Sequence, residues 1–97
     1  MEKVLNLVDT QGTTSVHIDV AINDAGDLVF SGQDIGNAPR QYVGDSDYEY
    51  WLTVPACEKD RFLLLLVEKL FLNDTQLVTA VREILDSKGI SYSSHSF

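Results

Sequence analysis

Hydrophobic and polar positions alternate strictly from Thr14 to Ile22: Val16, Ile18, Val20 and Ile22 fall on one side, Ser15, His17, Asp19 and Ala21 on the other. A period of two is the pattern of an extended strand with one covered and one wetted face. Asn23-Asp24-Ala25-Gly26 then supplies turn residues, with Gly26 open to positive φ, and Leu28 and Phe30 resume on the apolar side between Asp27 and Ser31. The pattern predicts a hairpin over Thr14 to Ser31. Upstream, the aliphatic run Val4 to Val8 predicts a first strand closed by a turn at Asp9-Thr10-Gln11-Gly12.

Past Ser31 the alternation stops. Glycines at 32, 36 and 44 and Pro39 predict an irregular segment from Gly32 to Asp47, with tight turns at Gly32 and Gly36 and a short helical turn around Ala38 to Tyr42. An irregular stretch of that length in a small domain is expected to carry function or wrap a core edge. Tyr48 to Val54 predicts the next strand, with Tyr48, Tyr50, Leu52 and Val54 on one face and Glu49, Trp51 and Thr53 on the other. Both faces of that strand carry aromatic rings.

After Pro55 the period changes to helical. Phe62, Leu63, Leu66, Val67, Leu70 and Phe71 form a broad apolar stripe, which Leu64, Leu65 and Leu72 widen almost all round. Asn73, with Gln76 three residues on, has capping-box spacing and is expected to open a second helix that runs to about Lys88 on Leu77, Val78, Val81, Ile84 and Leu85, with Gly89 as its stop. Ile90 to Phe97 alternates weakly, as an edge strand or a surface segment would. Strands first and helices afterwards predict an α+β fold, an antiparallel sheet of about four N-terminal strands packed against two C-terminal helices, in a single domain over residues 1–97.

Charge changes this picture more than composition does. Up to Pro55 the chain holds nine acids against two bases, a balance of −7; beyond it, six acids against five bases leave −1. The excess sits on the predicted sheet, where it repels nucleic acid and anionic lipid and attracts a basic partner. No basic stripe supports nucleic-acid binding. The longest apolar run, Phe62 to Val67, is far short of the roughly 20 residues that cross a bilayer. A lone cysteine, Cys57, excludes an intramolecular disulfide and suits a reducing, cytoplasmic setting.

Catalytic patterns do not assemble. Asp45, Asp47 and Glu49 repeat at alternate positions like the first ligands of a calcium loop, but the sixth and twelfth positions are Tyr50 and Ala56 where glycine and glutamate are needed. Cys57 with His17 or His95 supplies the parts of a nucleophile and base without a local signature, and the same three residues lack the paired spacing of a zinc site. A carboxylate pair among Asp34, Asp45, Asp47 and Glu49 would need one member in an apolar niche. Gly32-Gln33-Asp34-Ile35-Gly36 lacks the lysine of a phosphate loop. No catalytic residue, metal or cofactor is therefore expected.

The run Gly26-Asp27-Leu28 through Gly32-Gln33-Asp34-Ile35-Gly36, continued by Tyr42-Val43-Gly44-Asp45-Ser46-Asp47-Tyr48-Glu49-Tyr50-Trp51, resembles a pattern of small uncharacterised bacterial proteins. The resemblance implies a bacterial origin and a self-contained domain, and brings no catalytic residue. In size, acidity and aromatic content the chain is also similar in general character to immunity proteins that neutralise basic toxins. The expected function is a protein-binding module, of immunity or inhibitor type, that takes a basic protein on Asp34, Tyr42, Asp45, Asp47, Tyr48, Glu49, Tyr50 and Trp51. The alternatives are a structural or homo-oligomerising domain, monomer or homodimer, and a small hydrolase-type enzyme on Cys57 or the carboxylates.

Overall fold

The computed structural model describes residues 3–36 and 47–96. Four strands, β1 (Lys3–Thr10), β2 (Thr14–Ile22), β3 (Leu28–Gly36) and β4 (Asp47–Val54), form one antiparallel sheet in the order β1-β2-β3-β4. A 3-10 turn (Ala56–Glu58) leads into helix α1 (Lys59–Phe71), and helix α2 (Leu77–Ser87) follows. The α+β class and the strand-then-helix order agree with the hydrophobic pattern. The helical turn expected at Ala38 to Tyr42, and with it Tyr42 and Asp45, lies outside the described residues. Contacts divide the chain into two compact units, Met1–Phe62 and Leu63–Phe97.

In the first unit, cross-strand partners share a face, so the register sorts every side chain. Val20 lies opposite Phe30 and Phe30 opposite Leu52; Ile22 lies opposite Leu28 and Leu28 opposite Val54. These residues make one apolar face, and the edge-on contact of Phe30 with Phe62, 6.5 Å between ring centres at 90°, carries it onto the first turn of α1. The hairpin forms as expected. Asn23 closes it through its backbone N–H to the Asp27 carbonyl at 3.0 Å and through its side-chain oxygen, which accepts the Asp27 N–H at 2.9 Å. The Asp27 carboxylate, next to the end of β4, in turn accepts the Ala56 N–H at 2.8 Å at the start of the 3-10 turn.

The first strand forms as expected with one irregularity, and the third departs from expectation. In β1 strict alternation would point Leu5 and Val8 to opposite faces. The pairing instead slips between Asn6 and Val8, leaving Leu7 as an inserted residue; Leu5 meets Val20 and Val8 meets Ile18, so both reach the apolar face. Asn6, the last residue before the slip, stands opposite Asp19 on the polar face.

The departure concerns Gly32 to Gly36, expected as a loop and found as the second half of β3, with Gly32 to Ile35 paired on both sides and Gly36 paired to β2. Gly32 is no turn residue: it is the buried point of the strand, directly opposite Tyr50. The Tyr50 ring lies across it, where a methyl group would overlap the ring, and the hydroxyl donates to Asp34 Oδ1 at 3.2 Å. An aromatic ring laid over a strand glycine restores the packing that the missing side chain forfeits.

In the second unit, Val67, Phe71, Leu77, Ala80, Val81 and Leu85 are its half-buried apolar positions. Asn73 does not cap α2; with φ 61 it adopts the left-handed conformation two residues past the end of α1. The Asp74 carboxylate accepts the Gln76 N–H at 2.8 Å instead. At the other end Gly89, φ 66, closes α2 as expected: its N–H reaches the Asp86 carbonyl at 3.3 Å and the Ile90 N–H reaches Leu85 at 2.9 Å, the double bond of a Schellman cap. The tail forms no strand through residue 96. It runs back along α2, where Tyr92 donates to Asp86 at 2.8 Å and Arg82 to Ser94 at 3.1 Å. The Asp86 hydrogen bond, with smaller help from partial desolvation, pushes the Tyr92 hydroxyl above its usual range.

Gly32→Ala should destabilise the protein by roughly 1–3 kcal/mol, the usual cost of overpacking. Urea unfolding of Gly32→Ala, Tyr50→Ala and the double variant checks the cause. With the ring gone, the added methyl should cost little, so the double variant should be clearly more stable than the sum of the two losses allows.

Candidate functional site

The polar face of the sheet is laid out by the same register. One row across the strands reads Asp9, His17, Gln33, Glu49; the next reads Asn6, Asp19, Ser31, Trp51. Neighbouring strands stand about 4.8 Å apart, so each row is a line of neighbouring side chains. Ser31 is the short member, set between Asp19 and Trp51. With the Gly32 backbone beside it, it floors a concavity of about 240 Å³ walled by His17, Asp19, Gln33, Glu49 and Trp51.

The walls are hydrogen-bonded to one another. Asn6 Nδ2 donates to Asp19 Oδ1 at 3.1 Å and lies 3.4 Å from His17 Nδ1, while His17 Nε2 stands 3.1 Å from Asp19 Oδ2. Asp9 Oδ1 is 3.8 Å from His17 Nδ1. Across the concavity Gln33 Nε2 donates to Asp47 at 3.1 Å and to Glu49 at 3.5 Å, which leaves the Gln33 amide oxygen as an acceptor. The Asn6 hydrogen bond holds the Asp19 carboxyl below the usual carboxylate range; partial burial opposes this, and the hydrogen bond and charge of His17 add to it.

Residues that the sequence groups into one stretch are therefore divided between two faces. Asp47, Glu49 and Trp51 share the polar face with His17 and Asp19. Asp34, Tyr48 and Tyr50 belong to the opposite, apolar face, where Tyr48 and Tyr50 stack at 5.4 Å between ring centres and Tyr50 bonds Asp34. Trp51 is 65 % exposed. Asn6, Asp19, Ser31 and Gln33 were not singled out in the sequence, though the alternation of β2 and β3 puts Asp19, Ser31 and Gln33 on the face opposite the apolar one.

Chemically the concavity offers carboxylate, amide and hydroxyl oxygens beside an aromatic face, a set that binds cations. In the cross-strand register Ser31 lies opposite Asp19 and Gln33 opposite His17. Cys57 is exposed in the 3-10 turn, and among the described residues no hydrogen bond or ion pair joins it to His17. Among the described residues no group of three or more His, Cys, Asp or Glu is placed to hold a metal ion. No helix among them is long and apolar enough to cross a membrane.

Because its folded pKa is depressed, Asp19 adds stability that is present above the ordinary carboxylate range and is lost as pH falls through the folded value. Carboxyl-detected NMR should show Asp19 titrating below the other surface aspartates, and Asn6→Ala should bring it back toward them and shift acid unfolding to higher pH. An unchanged Asp19 titration in Asn6→Ala would show that this hydrogen bond does not set its acidity.

Compared with known proteins, the chain matches no family model, no curated protein and no solved structure at a significant level.

Proposed function

We propose that the protein is a small acidic binding module, of inhibitor or immunity type, that takes a basic protein on the polar face of its sheet. The observation that carries this reading is Trp51, 65 % exposed on the same face as Asp47, Glu49, Asp19 and the concavity between them. Tryptophan is costly to leave in water and is enriched among the residues that dominate interface energy. Carboxylates around it steer a cationic partner and slow its escape. The balance of −7 over the residues up to Pro55 acts in the same sense at longer range. Relative to the stretch read from the sequence, the centre of the surface moves: Asp47, Glu49 and Trp51 stay in it, while Asp34, Tyr48 and Tyr50 serve the other face.

A second reading, self-association, is favoured by one feature. β4 is an edge strand of the described sheet, and its Trp51 and Leu52 are each 65 % exposed, on opposite faces. An open strand edge with large apolar side chains is a template for pairing with another copy.

Capture from native lysate, with the protein and its Asp47→Lys/Glu49→Lys variant as baits, separates the readings. A basic protein should be retained by the natural sequence and reduced about tenfold or more by the charge reversal, with the difference shrinking as salt rises. Recovery of the bait alone, together with a dimer mass in light scattering, would favour self-association.

A further inference from the structure

The concavity on the polar face has a definite shape and lining, and these select a ligand more narrowly than a negative surface does. Its six wall and floor side chains are consecutive members of two cross-strand rows, His17-Gln33-Glu49 and Asp19-Ser31-Trp51. The floor is Ser31, the shortest of them. The two carboxylates stand at opposite corners, Asp19 on β2 and Glu49 on β4, one strand apart on either side of the floor. The indole of Trp51 forms one side, and among the described residues no lysine or arginine lines the space.

Resting on the binding reading above, the geometry points to this concavity as a receptor for the guanidinium group of an arginine side chain presented by the basic partner. A guanidinium is flat, carries five donors in a fixed fork and stacks on aromatic faces, while an ammonium is a compact, strongly hydrated point charge. Here the flat face meets Trp51 and the donors meet acceptors on two sides: Asp19 and Glu49 as carboxylates, the Ser31 hydroxyl and the amide oxygen of Gln33. Asp19 is preset: Asn6 and His17 hold it at 3.1 Å each, so little of its side-chain freedom is lost on binding, and Glu49 lies 3.5 Å from the Gln33 amide nitrogen. A volume of about 240 Å³ accommodates a guanidinium and the end of its stem. The partner's chain then lies over Trp51, and the remaining acidic surface engages its other bases.

Trp51 is the single tryptophan, so its fluorescence reports the site directly. The experiment titrates the full chain with N-acetyl-arginine amide, N-acetyl-lysine amide and methylguanidinium, following Trp51 emission and backbone amide NMR shifts. Saturable changes at His17, Asp19, Ser31, Gln33, Glu49 and Trp51 are expected, several-fold stronger for the arginine amide than for the lysine amide. Glu49→Gln should weaken them about tenfold, the scale of one hydrogen bond to a charged group. Ser31→Leu, which fills the floor while keeping every charge and the indole, should abolish them; Asp19→Asn provides a second, isosteric test if Ser31→Leu does not fold. Equal response to both amides, shifts spread over all acidic residues, or binding untouched by Ser31→Leu would overturn the assignment. Methylguanidinium binding as tightly as the arginine amide would overturn the polypeptide source. Should the concavity fail while Asp47→Lys/Glu49→Lys still releases a captured basic protein, the binding module stands without an arginine pocket; should the arginine amide bind while capture is insensitive to the charge reversal, the binding reading itself falls.

Discussion

The register of β3 between β2 and β4 is the constraint on which the described sheet depends. Strand side chains alternate faces with a period of two, so one pairing decision places every residue of three strands at once, and a slip of one residue would invert them all. Here it sets Phe30 between Val20 and Leu52 on the apolar side and Ser31 between Asp19 and Trp51 on the polar side. The apolar rows favour the pairing energetically. The polar rows, and the concavity they enclose, come with it.

Gly32 lets that register extend the full length of β3. A glycine in a strand interior is ordinarily a weakness, through backbone entropy and missing contacts. Tyr50, directly opposite, fills the gap and ties its hydroxyl to Asp34, so the acid has a hydrogen-bond partner on the apolar side of the sheet. The β1 bulge does comparable work at the other edge. One inserted residue brings Leu5 and Val8 to the same face, and beside it Asn6 donates both to the Val8 carbonyl and to Asp19. The two irregularities thus support opposite faces of one sheet, the first its packing and the second its polar wall.

The binding role proposed above draws on what those walls contain. Oxygen acceptors outnumber donors, an indole is left exposed, and the imidazole of His17 is engaged by Asp19 at 3.1 Å rather than by a hydroxyl.

Alternation alone determined β2, the hairpin, the two faces of β4 and the α+β order, because periods of two and of 3.6 are local properties that any core must respect. Gly89 as the end of α2 was legible for the same reason: a left-handed residue is needed there whatever the helix packs on. Sequence reasoning misread Gly32 to Gly36 as a loop, since glycine breaks a pattern locally and only the partner strand reveals Tyr50 lying across it. It misassigned Asn73 because capping spacing and a left-handed turn draw on the same residue type. Above all it treated positions 34 to 51 as one surface, when closeness along a strand guarantees opposite faces for odd separations. Bringing His17, Asp19, Ser31 and Gln33 beside Glu49 and Trp51 was decided by the tertiary structure, because cross-strand neighbours are set by the pairing of distant segments and leave no mark within either one.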